Sequence, residues 1–314
     1  MPTQSTHEVE HGIDIAASAD VVYGLIADVT NWPRLFPPTI FVDLIEDTGR
    51  EQTLHIWATA NGDAKSWTSR RSLDPATRRI TFRQQVSTPP VASMGGTWIV
   101  EPISADSSHV RLLHDYRAVD DDPAGLAWIA EAVDRNSDAE LAALAHSAEL
   151  STGADGLLLE FEDTVRIDGS ARDAFDFINE AQLWDQRLPH VSTVRLHEPT
   201  PGLQTLEMDT YAKDGSTHTT KSFRVCQPHQ RIAYKQTTLP ALMSVHTGRW
   251  TFDQNGSETI ATSQHTVVLR EENITTVLGA DAGIAQARDY VRTALSTNSL
   301  ATLNHAKEHA ERIH

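Results

Sequence analysis

The chain has 314 residues, 39% of them hydrophobic and 22% charged, which suits two globular domains of ordinary size rather than a single core or a disordered chain. Its 26 basic and 43 acidic residues give a formal charge of −17, which argues against nucleic acid as partner, and no apolar run approaches the roughly 20 residues that span a bilayer. One cysteine, Cys226, excludes an intrachain disulfide and a cysteine-rich zinc site, and residues 1–10 show neither the basic start nor the apolar stretch of a signal peptide, so the expected compartment is the cytoplasm.

In chain order, Val9, His11, Ile13 and Ile15 alternate with polar neighbours and predict a half-buried strand. Ser18 caps a predicted helix over residues 19–26, and Asn31-Trp32-Pro33-Arg34-Leu35-Phe36-Pro37 follows as a second short helical stretch. Runs of β-branched and aromatic residues come next, punctuated by Asn61-Gly62 and Asp74-Pro75, and spell successive hairpins. Trp67, Ser69 and Arg71 alternate on one of these strands and so share a face, while Met94, Trp98 and His114 fall on later ones. Leu126, Ile129, Val133, Leu141 and Leu144 recur at helical spacing and predict a long closing helix.

After residues 151–156, whose small residues read as a linker, the series starts again with a period of about 152 residues, which predicts a copied domain over 157–314 beside the first at 1–150. Phe161, Asp163, Val165 and Ile167 keep the phase of the first strand, Ser170 caps a helix over 171–178, Trp184 matches Trp32, and Trp250 matches Trp98. With one residue of slippage Arg224 matches Arg71 and Ser222 matches Ser69, but Thr220 stands where Trp67 stands. Asp214-Gly215 and Asn255-Gly256 mark turns, and Ile284, Val291, Ala294, Asn298 and Ala301 predict the face of the second closing helix. Each half therefore reads as α+β: one strand, two short helices, six further antiparallel strands, and a long helix that the curved sheet grips over an interior cavity.

This order of elements, with Asn31-Trp32-Pro33-Arg34-Leu35-Phe36 and Ser66-Trp67-Thr68-Ser69-Arg70-Arg71, resembles the START-like, helix-grip superfamily and, within it, the bacterial type II polyketide aromatase/cyclases. The tandem is similar to their di-domain members. The resemblance implies first-ring closure of the C7–C12 type, or dehydration and aromatisation, on a poly-β-ketone held by phosphopantetheine on an acyl carrier protein, together with other synthase components. It implies no cofactor, no nucleic acid and no membrane. Single-domain relatives carry a tyrosine near the exit of the second helix, where this chain has Thr39 and Val191.

Aldol closure and dehydration need an acidic methylene proton removed, an oxyanion held and a leaving hydroxyl protonated. Arg71 and Arg224 are expected to hold the oxyanion, since a guanidinium is charged at any relevant pH and donates two parallel hydrogen bonds; the alternative is a surface ion pair on an exposed strand face. His114, His246 and His265, on strands expected to line the cavities, are the candidates for proton transfer. Trp32, Trp67, Ser69, Met94 and Trp98 in the first domain, with Trp184, His190, Ser222, Met243 and Trp250 in the second, are expected to shape the substrate sites, core packing being the competing role for the aromatic and methionine residues. His305 and His309 lie one helical turn apart without a zinc motif around them, so no metal is expected. A non-catalytic carrier or receptor for an apolar small molecule is the competing function, and a charge inside the cavity is what distinguishes the two.

Overall fold

Both halves build the same elements for the same local reasons. The computed structural model describes residues 6–153, 156–211 and 217–313. It divides into two compact units, Met1–Ala154 and Asp155–His314. The first runs β1 (His7–Ile15), α1 (Ala19–Ala27), α2 (Trp32–Leu35), β2 (Thr39–Asp47), β3 (Glu51–Ala60), β4 (Asp63–Asp74), β5 (Arg79–Val86), β6 (Val91–Pro102), β7 (Ser108–Ala118) and α3 (Pro123–Gly153). The second repeats it as β8 (Leu158–Ile167), α4 (Ala171–Asn179), α5 (Trp184–Arg187), β9 (Val191–Thr200), β10 (Leu203–Tyr211), β11 (Thr217–Gln227), β12 (Arg231–Thr238), β13 (Met243–Asn255), β14 (Glu258–Leu269), a short added α6 (Ile274–Leu278) and α7 (Ile284–Ile313).

Each unit is a seven-stranded antiparallel sheet in which the first strand closes against the last, in the orders β1-β7-β6-β5-β4-β3-β2 and β8-β14-β13-β12-β11-β10-β9. The Ser18 hydroxyl accepts from the Val21 amide and the Ser170 hydroxyl from the Asp173 amide, so both predicted caps form. At Asn61 and Gly62 both φ angles are positive, 50° and 85°, which is what a two-residue hairpin between β3 and β4 requires. A register shift interrupts the ladder at Thr68/Ser69 and at the matching Lys221/Ser222, two residues before each buried arginine. The Asp214-Gly215 turn signal lies outside the described residues.

The linker expected at 151–156 begins later than expected. Residues 151–153 continue α3, because nothing in that stretch stops a helix before Gly153, and residues 154 and 155 lie outside the described part of the chain. The face expected for α7 also needs correction. Ala294 is exposed and Asn298, though exposed, lines the second cavity, whereas Val291, Ser299, Thr302, Leu303, Ala306 and Ala310 are buried. Apolarity does not mark this face because two of its buried positions are hydroxyl residues; Ser299 bonds a polar cluster on the sheet, and Thr302 returns a bond to Asn298 of its own helix. The α3 face agrees with expectation: Ile129, Val133, Leu141 and Leu144 are buried, the last two in a core with Ile15, Val22 and Trp98.

Across each sheet one row of paired residues matches position for position: Gln52, Arg71, Phe82, Gly96 and His114 in the first, and Gln204, Arg224, Tyr234, Gly248 and His265 in the second. The glycines are steric necessities. A Cβ on Gly96 would lie 2.0 Å from the Leu113 carbonyl oxygen and 2.6 Å from the Phe82 ring. Because the first of these neighbours is backbone, Gly96→Ala is expected to cost about 1–3 kcal/mol of stability, measurable as an earlier urea midpoint for the first unit. An unchanged midpoint would mean that the strands relax freely around this row.

Candidate functional site

In the first unit a cavity of about 170 Å³ opens between the sheet and α3. Trp32, Trp67, Ser69, Arg71, Met94, Trp98 and His114 all line it, so the structure brings together every candidate named for this half. Arg71 reaches the cavity from β4 and is 1% exposed. Its Nε donates to the Gln52 Oε1 at 2.7 Å, Nη1 to the Ile26 carbonyl at 3.1 Å and Nη2 to the Ala27 carbonyl. These carbonyls end α1, so the guanidinium closes off the negative end of that helix while stacking 5.3 Å over the Trp32 ring. The surface ion pair weighed as its alternative role does not occur. Burial lowers its pKa to about 10, which still leaves it charged at neutral pH.

Farther along the row, His114 keeps accessible surface beside Phe82, with ring centroids 5.5 Å apart. Its Nδ1 is buried with no partner among the described residues, and burial drives its pKa down to about 4, with His11 adding a smaller repulsion. It is therefore a neutral imidazole. Asp115, its neighbour, points the other way and holds Arg83. Ser69 donates to the Arg83 carbonyl at 3.2 Å, and Trp98 stacks on Phe36 in the core, so these two shape the wall more than they offer reactive atoms.

The second unit has its own cavity, of about 120 Å³. Trp184, His190, Ser222, Arg224, His246, Trp250 and His265 line it. Met243 does not: it is buried at the start of β13 opposite Leu269, because the residue in register with Met94 is His246. Burial lowers the pKa of His190, with help from His305. Arg224 is as buried as Arg71 but far less satisfied. Nη2 donates to the Ile178 carbonyl at 2.8 Å and the group stacks 5.2 Å over Trp184, yet Nη1 has no partner among the described residues. Gln204, the counterpart of Gln52, turns its Nε2 to Glu198 at 2.9 Å and leaves its Oε1 unpaired. Trp184 Nε1 is also unpaired, whereas Trp32 Nε1 donates to the Ile26 carbonyl at 3.0 Å. Two buried N–H donors on residues that line this cavity thus have no partner among the described residues.

Two matching cavities, each with a buried arginine over a tryptophan, invite comparison with known proteins. Residues 6–149 and again 167–289 match family models described as polyketide cyclase/dehydrase and lipid transport. The granaticin polyketide synthase bifunctional cyclase/dehydratase of Streptomyces virginiae is 53% identical over 302 residues, covering 95% of this chain and 98% of the relative. The chain belongs to the polyketide cyclase/dehydrase family. Among solved structures, the di-domain aromatase/cyclase BexL from the BE-7585A biosynthetic pathway superposes with a TM-score of 0.88 at 64% identity, over 97% of this chain and 99% of that one. StfQ, the di-domain aromatase/cyclase from the steffimycin pathway, gives 0.87 at 30% identity over the same shares. The helix-grip fold of both units is therefore the fold of this family.

Several cavity residues escaped the sequence reading. Tyr234, Gln236 and Ser299 line the second cavity, and Ser263 bonds one of its histidines. A signal for Tyr234 was present, since it lies 152 residues after Phe82, but an aromatic residue in a strand reads as core filling. Among the described residues no three His, Cys, Asp or Glu side chains group as metal ligands. His305 instead lies 3.4 Å from Glu308 and His309 packs on Phe177.

Proposed function

We propose that this protein cyclises and aromatises a poly-β-ketone delivered on an acyl carrier protein by a type II polyketide synthase, acting by C7–C12 first-ring closure, by dehydration of a ring already closed, or by both. The carrying observation is a buried, protonated guanidinium inside each aromatic-walled cavity. A carrier of apolar molecules gains nothing from the desolvation that such a charge costs, whereas an enolate or alkoxide is stabilised by it. The walls supply the rest: Trp32, Trp67 and Trp98 around the first cavity, and Trp184 and Trp250 around the second, restrict a chain whose free form cyclises at random. Arg71 and Arg224 are assigned to oxyanion binding, His114 to direct proton transfer in the first cavity, and His246 and His265 to proton transfer in the second. The synthase is the expected working partner, and its cytoplasmic setting fits a lone unoxidised cysteine, buried Cys226.

The full chain incubated with a minimal polyketide synthase, with and without a ketoreductase, tests this reading. The expected result is a regiospecifically closed, aromatised first ring in at least one of the two mixtures. Shunt products identical to those formed without the protein in both mixtures would overturn it.

A further inference from the structure

The second cavity contains a hydrogen-bonded cluster that the first lacks. Tyr234, His246 and Ser263 occupy the positions that Phe82, Met94 and Leu112 hold in the first unit. The change replaces three apolar side chains with groups that give and take protons. The two histidines are almost wholly covered, at 2% and 3% exposure, while Tyr234 keeps accessible surface and lines the cavity. Tyr234, His246 and His265 all line the cavity.

Hydrogen bonds fix where the protons sit. His246 Nδ1 donates to the Gln236 Oε1 at 2.7 Å, which leaves its Nε2 as a lone pair. His265 Nε2 meets two hydroxyls, Ser299 at 2.7 Å and Ser263 at 3.1 Å, so a hydroxyl donates to it and the ring carries its proton on Nδ1. That Nδ1 donates to the bare His246 Nε2 at 3.0 Å, and the Tyr234 hydroxyl lies 3.0 Å from His265 Nδ1 and 3.4 Å from His246 Nε2. The lone pair of His246 Nε2 is therefore the acceptor within reach of the phenolic proton. Phe161 stacks on His265 at 4.9 Å and seals the far side, and a Cβ on Gly248 would come within 2.4 Å of the Tyr234 oxygen, so the place of the hydroxyl is built into the sheet.

We propose that Tyr234 is the catalytic acid–base group of the second cavity, and that His246 and His265 are positioning residues that hold its proton between the two halves of a dehydration. This rests on the cyclase reading above. In the first half the tyrosine oxygen takes the proton from the carbon next to the substrate carbonyl as its own proton moves to His246 Nε2, and the carbon's electron pair becomes an enolate facing Arg224. In the second half the enolate collapses, the C–O bond of the β-hydroxyl breaks, and the departing oxygen takes the tyrosine proton and leaves as water. The stored proton returns to the tyrosine oxygen. One molecule of water is lost, one C=C bond is formed, and the cluster ends as it began. The first cavity, with Phe82, Met94 and Leu112 at these places, has no such cluster beside His114.

The test uses the full chain in the minimal-synthase assay. Tyr234→Phe is expected to fold, because phenylalanine already fills the matching place in the first unit, and to slow aromatisation at least tenfold with accumulation of the closed but still hydroxylated ring. The double variant Tyr234→Phe with His246→Met reproduces the first unit's pair, removes the His246 nitrogen that the single variant leaves without the phenol, and is expected to show the same block. His246→Met alone should lower kcat with KM unchanged and reduce the solvent deuterium isotope effect, which a purely structural role would not move. Normal aromatisation rates in both tyrosine variants, alongside an impaired Arg224→Ala, overturn this proposal and leave the cyclase reading standing. A wild-type protein that converts no polyketide overturns both.

Discussion

Arg71→Ala is expected to lower the melting temperature of the protein sharply, and Arg224→Ala to leave it nearly intact while abolishing most turnover. In the first unit all three guanidinium nitrogens donate to protein acceptors, so truncation orphans the Ile26 and Ala27 carbonyls and the Gln52 amide oxygen in a buried place. Each unsatisfied acceptor costs about 1–3 kcal/mol, and removing the desolvated charge returns part of that, so a loss of about 3 kcal/mol is expected. In the second unit the same truncation orphans only the Ile178 carbonyl and removes a charge with an unpaired nitrogen. What is lost there is the donor proposed to hold a substrate oxygen, and one such donor is worth roughly a hundredfold in rate. Lysine should rescue neither: one ammonium cannot span the three acceptors around Arg71, nor reproduce a fork that bonds Ile178 with one arm and the cavity with the other. Melting curves of the two alanine variants, read beside product analysis, decide the matter. Equal losses of stability would show that the two arginines carry the same structural share beside their proposed oxyanion role, and the difference drawn from their hydrogen bonds would fail.

The duplication, the strand phases and the placement of both arginines were legible because they depend on local and periodic signals. A serine before an amphipathic run, Asn61-Gly62 between two strands and a tryptophan repeating at 152 residues each carry their physics in a few neighbouring residues. The inward direction of Trp67, Ser69 and Arg71 followed from the two-residue period of a strand. What Arg71 bonds could not be read in the same way, since its acceptors are main-chain carbonyls more than forty residues away, and backbone carbonyls leave no mark on a sequence. Met243 precedes Trp250 as Met94 precedes Trp98, but the register shift between Met243 and Val245 lies before the stretch that aligns with β6, and the position of Met94 falls to His246. Tyr234 and Ser299 stayed hidden for a related reason. Their meaning comes from a cluster drawn from three strands and a helix, and only the fold assembles it.

Stability should fall as pH drops from about 6.5 toward 4, and the fall should be steeper in the second unit. Burial holds His114 and His265 at about 4 and pushes His246 well below its ordinary value, with the neighbouring His265 adding to the repulsion. The native state therefore keeps these imidazoles neutral where the unfolded chain, with ordinary histidine values near 6.5, already binds protons. Because the unfolded state binds more protons in that window, stability rises with pH through it and is lost as pH falls; above about 6.5 neither state is protonated and the dependence vanishes. For a native value near 4, linkage gives a loss of about 2 kcal/mol per histidine by pH 5. The first unit has one such histidine in its cavity and the second has two, so acid should release the second unit's fold first, before the paired carboxylates begin to titrate. Urea titrations at pH 7.5, 6 and 5, followed by fluorescence from the tryptophans of each unit, measure this. His114→Leu should flatten the dependence of the first unit, and His246→Met that of the second in part, since His265 remains. A second unit whose midpoint is the same at pH 7.5 and pH 5 would mean that the imidazole pair is already charged at rest, and His246 Nε2 could not take the Tyr234 proton.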